Sequence, residues 1–163
     1  DTILGGGNYV HAVSPQLNFP SQTAWFKIVS TRPLAGFELF GSTDGNQLGA
    51  YAGNGMTGSQ SGIFAKIEKN GWTGIAFVNT DSGAASVTLT AYTDSGTAVA
   101  TQVLTVNGYQ KMANQAEAIF SQQNISSATY ITYTSDKSVV GFQLNGSADG
   151  TMLDGLPALG TAN

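Results

Sequence analysis

The sequence predicts an all-β protein: an antiparallel, immunoglobulin-like β-sandwich preceded by half of a second copy of the same unit. Three observations predict it. Apolar and polar residues alternate with period two along much of the chain, the signature of half-buried strands. Turn-forming pairs punctuate the alternation: Asp44-Gly45, Asp81-Ser-Gly83, Asp94-Ser-Gly96, Asn107-Gly108 and Asp149-Gly150. Asx-Gly pairs supply the positive φ angles that tight hairpins need. Finally, one segment is written twice. Residues 32–45, Arg-Pro-Leu-Ala-Gly-Phe-Glu-Leu-Phe-Gly-Ser-Thr-Asp-Gly, return at 137–150 as Lys-Ser-Val-Val-Gly-Phe-Gln-Leu-Asn-Gly-Ser-Ala-Asp-Gly, an offset of 105.

The repeat sets the domain organisation. Residues 1–53 are expected to be the C-terminal half of one repeat. Residues 54–70 form a Gly/Ser-rich joint in which Ile63 to Glu68 starts a first strand. Residues 71–163 form a complete repeat. Upstream of the duplicated segment, Trp25 aligns with Tyr130, Phe26 with Ile131 and Ile28 with Tyr133. Ile75 and Phe77 mark a strand near 73–79. Val87, Leu89 and Ala91 alternate with Ser86, Thr88, Thr90 and Tyr92 in the next. A Val/Thr-rich strand follows near 98–106, then one at 127–135 with its copy at 24–30. Val140, Phe142 and Leu144, with their copies Ala35, Phe37 and Leu39, are expected to face the core. One or two short helical turns plug the sandwich ends. Asn114 caps the first, with Glu117 in the capping position and Phe120 pointing inward. Its copy at Ser14-Pro15 has a cap and a first-turn proline, with Phe19 pointing inward.

Composition excludes several function classes. Only 10% of the 163 residues are charged, against about 25% in a typical domain, and the 21 glycines are nearly twice the usual ~7% share. Six Lys+Arg against ten Asp+Glu and a pI near 4.6 argue against nucleic acid, which needs clustered cations. There is no Cys, so no disulfide framework and no thiolate. A single His cannot build a multi-His metal site, so neither metal nor cofactor is expected. No apolar run reaches the ~20 residues of a membrane helix, so this segment is not expected to insert. The chain starts at Asp1 rather than Met, so we expect it to be part of a longer protein.

The stretch Asn70-Gly-Trp-Thr-Gly-Ile-Ala-Phe-Val-Asn-Thr80, then Ala85-Ser-Val-Thr-Leu-Thr-Ala-Tyr92 and Asp94-Ser-Gly96, resembles a tandem β-sandwich repeat module of bacterial secreted and cell-surface proteins. Pro33-Leu-Ala-Gly-Phe37 and Gly155-Leu-Pro-Ala-Leu159 fit that module's closing strand. The likeness covers residues 71–160 fully and 5–53 in part. It departs at Ile119-Phe120-Ser121, where the module's usual proline is missing. The resemblance implies stacked sandwiches in an extracellular, cell-surface or periplasmic setting, and no particular chemistry.

Candidate chemistry is thin. Gly53-Asn-Gly-Met-Thr-Gly58 matches a dinucleotide-binding spacing but lacks the flanking strand and helix that the motif needs. Glycoside hydrolysis requires two convergent carboxylates. Of the two candidates, Glu38 has Gln143 as its copy and Glu117 has Gln16. His11 lies three residues before Ser14 but has no imidazole in its copy. No nucleophile, base and orienter assemble, so no enzyme is expected. Aromatics are the better lead. Trp25, Tyr130, Trp72 and Tyr92 are candidate ligand-binding residues, since exposed rings on a sheet stack sugars or dock a neighbour. We therefore expect a non-enzymatic structural or adhesive module whose partners are neighbouring repeats or a homodimer mate. The alternative is a carbohydrate-binding module for surface glycans.

Overall fold

The computed structural model describes residues 2–12, 17, 19–52 and 58–160. The Ser14-Pro15 cap, Gln16 and most of the Gly53–Gly58 motif lie outside the described residues. The described elements are strands β1 (Phe37–Gly41), β2 (Leu48–Ala52), β3 (Ser59–Phe64), β4 (Gly71–Asn79), β5 (Ala85–Tyr92), β6 (Ala98–Val106) and β7 (Lys111–Gln115). Helix α1 (Ala116–Ile119) and strands β8 (Tyr130–Ser147), β9 (Leu153–Pro157) and β10 (Leu159–Gly160) complete the order. All strand pairing is antiparallel.

β8 organises the molecule. Its first half pairs with β5 (Leu89↔Tyr133) and β3 (Ile63↔Thr132). Its second half pairs with β4 (Ala76↔Phe142) and β9 (Leu144↔Gly155). With β6 beside β5, β10 beside β3 and β7 beside β4, one long strand thus belongs to two layers, which pack as a β-sandwich. The sequence suggested a break between two strands near Asp136-Lys137. The chain instead runs through, and its polar residues hold the crossing point. Asp136 accepts a hydrogen bond from Ser86 N at 2.7 Å, and Lys137 pairs with Asp81 at 2.8 Å.

The core lies between the layers. Thr73, Ile75, Phe77 and Asn79 of β4 alternate inward, as do Ala85, Val87, Leu89 and Ala91 of β5, and all are buried. Phe64, Phe77 and Tyr133 meet there with ring centroids 5.0 to 5.8 Å apart. Asn79 is buried because it serves as a turn brace. Its Nδ2 donates to the Gly83 and Val106 carbonyls at 2.8 and 2.9 Å, and its Oδ1 accepts from Asp81 N. The short helix plugs one end, with Ala116, Ile119 and the following Phe120 buried. Asn114 does not cap it. That residue ends on β7, and Gln115 occupies the cap position with no side-chain bond. Phe19 is not inward either: it is exposed and stacks on Phe26 at 5.3 Å.

The duplicated segment folds as a duplicated hairpin. Phe37↔Ala52, Glu38↔Tyr51, Leu39↔Ala50, Phe40↔Gly49 and Gly41↔Leu48 pair in β1–β2. The offset of 105 carries each onto a pair of β8–β9: Phe142↔Pro157, Gln143↔Leu156, Leu144↔Gly155, Asn145↔Asp154 and Gly146↔Leu153. The turns match as well. Ser42 N donates to Gln47 O as Ser147 N does to Met152 O, and Gly45 and Gly150 both carry positive φ (74° and 71°). The Ser42 and Ser147 hydroxyls donate to Asp44 and Asp149.

One expectation is corrected. Phe142 and Leu144 do not face the inter-layer core; Val139, Gly141, Gln143 and Asn145 do, and they are buried. Val140, Phe142 and Leu144 lie half-buried on the outer face. Phe37 and Leu39 are 68% and 59% exposed. The apolar parity was legible, but both faces of this strand carry apolar residues, and parity alone does not say which face meets the other layer. The 24–30 copy of the preceding strand is not a strand either. A strand needs neighbours, and none pairs with residues 24–30 among the described residues.

Candidate functional site

The outer face of the β4–β8–β9 layer is the candidate site, because it is apolar and already partly covered. Trp72, Ala76, Val78, Val140, Phe142 and Leu144 share it by strand parity and are all half-buried. The β1–β2 hairpin lies across it. Phe40 meets Phe142 edge-to-face at 6.2 Å, and Tyr51 meets Phe142 at 5.0 Å. Phe40 fits because glycines flank it: a Cβ at Gly155 would stand 2.6 Å from its ring, and one at Gly49 2.5 Å. Polar staples fix the hairpin's edge. Gln47 Nε2 donates to the Met152 carbonyl at 3.2 Å, and further back Trp25 Nε1 donates to Tyr109 O at 3.2 Å. Desolvation and the nearby Glu38 charge push the Tyr51 phenol upward, so it stays neutral at physiological pH.

The four aromatics singled out in the sequence do not converge. Trp25 is the staple just described. Trp72 lies over Gly146, where an added Cβ would meet its indole at 2.4 Å. Tyr92 and Tyr130 do come together, as a cross-strand pair stacked at 5.2 Å with planes 9° apart. They sit on the outer face of the other layer, beside Thr88, Thr90, Thr132 and Thr134. Trp25 and Tyr130, aligned in sequence, therefore have different tasks.

Elsewhere the chemistry is sparse. A cleft of about 350 Å³ at the helical end is lined by Glu68, Lys69, Glu117, Gln123 and Asn124 among others. Two of its charges, Glu68 and Lys69, are engaged locally. Lys66 pairs with Glu68 at 2.8 Å, which holds the Glu68 carboxyl below its ordinary range, and Lys69 donates to the Ser126 and Ala128 carbonyls. Glu38 and Glu117 stand on separate elements, one on the hairpin and one on α1. His11 rests on the Tyr9 ring at 4.2 Å. Among the described residues, no three His, Asp or Glu side chains group together.

Sequence reasoning missed Tyr51 and the buried polar trio Thr73, Gln143 and Asn145. Thr73 Oγ1 donates to Asn145 Oδ1 at 2.8 Å and accepts from Glu68 N at 2.8 Å; Gln143 Nε2 donates to Asn145 Oδ1 and Lys66 O. The trio anchors the loop after β3. The missed signal was divergence between copies. Phe40 stands where the later copy has Asn145, between Leu39 and Gly41, which match Leu144 and Gly146, and Tyr51 stands where it has Leu156. A face that exchanges a buried amide for an aromatic ring has changed its neighbour.

No protein-family model matches the chain, and no curated protein matches it. Among solved structures it is similar to the crystal structure of Thermotoga maritima 1070, with a TM-score of 0.54 and 14% identity, over 65% of this chain and 97% of that one. At that identity the likeness bears on the fold alone.

Proposed function

We propose that this chain is a non-enzymatic structural or adhesive module that works by packing one sandwich repeat onto the next. A single observation carries the reading: the hairpin of the first repeat covers the outer face of the second through Phe40, Tyr51 and Phe142. Stacked repeats bury surfaces that one unit leaves open, and nearest-neighbour contacts then supply much of the array's stability. We place the sandwich with immunoglobulin-like folds, and the protein on the bacterial cell surface or outside it. Scarce charge, the lack of cysteine and abundant Ser, Thr, Asn and Gly support that setting.

The test compares the whole chain with one lacking residues 2–57. The shortened chain bares Phe142, so a lower melting temperature and self-association by light scattering are expected. Identical melting and a monodisperse monomer would remove the packing role.

A second reading is glycan binding at the Tyr92–Tyr130 pair. The half-buried rings beside threonine hydroxyls favour it, since aromatic surface next to hydroxyls suits sugars. Glycan-array binding that Tyr92→Ala abolishes without lowering the melting temperature supports it; silence across the array argues for packing.

A further inference from the structure

We propose that β6 is a docking edge for a second copy of this chain, held shut by the side chain of Gln123. The proposal goes beyond the packing reading, because it uses the layer of β5 and β6 and not the one that the hairpin covers. Among the described residues β5 is the sole strand neighbour of β6, so one edge of β6 faces outward. That strand is nine residues long, Ala98–Val106, and contains no charge, proline or glycine. Other edge strands are blunted: β7 opens with Lys111, β9 holds Asp154 and β10 has two residues. Natural sheets protect exposed edges with charges, proline or short strands. β6 uses none of these, and Val99, Thr101, Val103 and Thr105 give it high strand propensity.

Gln123 does the protecting. Its Oε1 accepts from Thr101 N at 3.0 Å, and its Nε2 donates to Thr101 O at 2.6 Å. One side-chain amide thus satisfies both peptide groups of one residue, as the opposite residue of an antiparallel strand does. The same bonds fix the direction of the Thr101 peptide groups, away from β5. Those of Val103 and Thr105 point the same way, because the direction alternates along an antiparallel strand. The Val103 carbonyl takes the exposed Gln102 amide at 3.2 Å, a local bond that an incoming strand displaces. Gln123 is presented by the helical plug: its backbone N donates to the Phe120 carbonyl at 2.7 Å, and Phe120 is buried.

A second copy of β6 fits the opened edge. About a two-fold axis at Val103, antiparallel pairing sets Val103 opposite Val103 of the second copy and Thr101 opposite Thr105 of the second copy. A two-fold places the central residue against its own copy, where a charge would repel itself. Val103 is neutral and 55% exposed. Thr105 of the second copy takes the place of the Gln123 amide at Thr101, so clip and partner exclude each other. Main-chain bonds then supply the affinity, as in β-augmentation.

The test uses the whole chain with two readouts, light scattering over a concentration series and amide exchange. The wild type is expected to be a monomer. Its Thr101 amide should be protected about tenfold more than those of Val103 and Thr105, because among the described residues the clip reaches Thr101 alone of the three. Gln123→Ala should self-associate at least about tenfold more tightly than wild type, and its Val103 and Thr105 amides should slow as the concentration rises. Gln123→Leu keeps the bulk of the loop and should behave alike, so a folding defect in one variant does not decide the outcome. Adding Val103→Lys to either should restore the monomer at an unchanged melting temperature, since that side chain is exposed. Gln123 variants that stay monomeric would overturn the proposal. So would equal protection of Thr101, Val103 and Thr105 in the wild type, a wild-type dimer as tight as the variant's, a dimer that leaves the β6 amides unchanged, or one that survives Val103→Lys.

Discussion

Phe40→Ala perturbs the contact between the β1–β2 hairpin and the β4–β8–β9 layer without touching the buried core. Full burial of a phenylalanine stabilises by roughly 1.5–3 kcal/mol. Phe40 is half-buried, so its share is about 1 kcal/mol on that scale. The edge-to-face pair with Phe142 adds about 0.5–1.5 kcal/mol. The sum is near 2 kcal/mol, and each 1.4 kcal/mol is a factor of ten. Local opening governs amide exchange in a peripheral unit. The β1 and β2 amides should therefore exchange about 10- to 50-fold faster in the variant, while those of β4 and β5 stay near wild type. A cycle with Phe142→Ala should return a coupling of about 0.5–1.5 kcal/mol, since the two rings touch. Unchanged exchange in residues 37–52, or additive effects in the cycle, would refute the docked hairpin.

Other perturbations test the framework. Gly71→Ala should lower the melting temperature, because the new Cβ would sit 1.9 Å from the Gly146 carbonyl oxygen; overpacking of this kind costs about 1–3 kcal/mol. Thr73→Val keeps the shape but strands Glu68 N and leaves Asn145 Oδ1 with Gln143 Nε2 alone, so chemical denaturation should report a loss of about 1–3 kcal/mol. The Ser147 hydroxyl, helped by Thr151, lowers the Asp149 carboxyl from 3.8 to about 2. Because its folded value lies below the unfolded one, its contribution is complete above about pH 4 and fades as the pH falls toward 2. The Asp149→Asn variant should lose that part of the acid dependence, and carboxyl titration by NMR should find Asp149 well below 3.8.

The strand framework was legible because strands buried on one side write their period openly. Ile75 and Phe77, or Val87 and Leu89, leave one choice of inner face. The segment written at 32–45 and again at 137–150 folds as two hairpins of matching register, which reflects a shared turn chemistry of Ser, Asp and Gly. The inner face of β8 was not legible. Phe142 and Leu144 outweigh Gly141, Gln143 and Asn145 in hydropathy, yet the latter are buried. They are admitted by two large rings packed around Gly141 and by bonds from buried amides to loop backbone, neither of which leaves a periodic trace. The candidate site was half legible. The contacts of the aromatics depend on neighbours far along the chain, such as Trp25 with Tyr109. Tyr51 became visible only through what its copy is not.

The most direct measurement is a nuclear Overhauser spectrum of the whole chain with labelled aromatic rings. Cross-peaks from the Tyr51 and Phe40 rings to the Phe142 ring, and from Phe40 to Gly155 Hα, are predicted, because these groups are in contact. Random-coil shifts for residues 37–52 with no peak to Phe142 would contradict the packing of one repeat on the other.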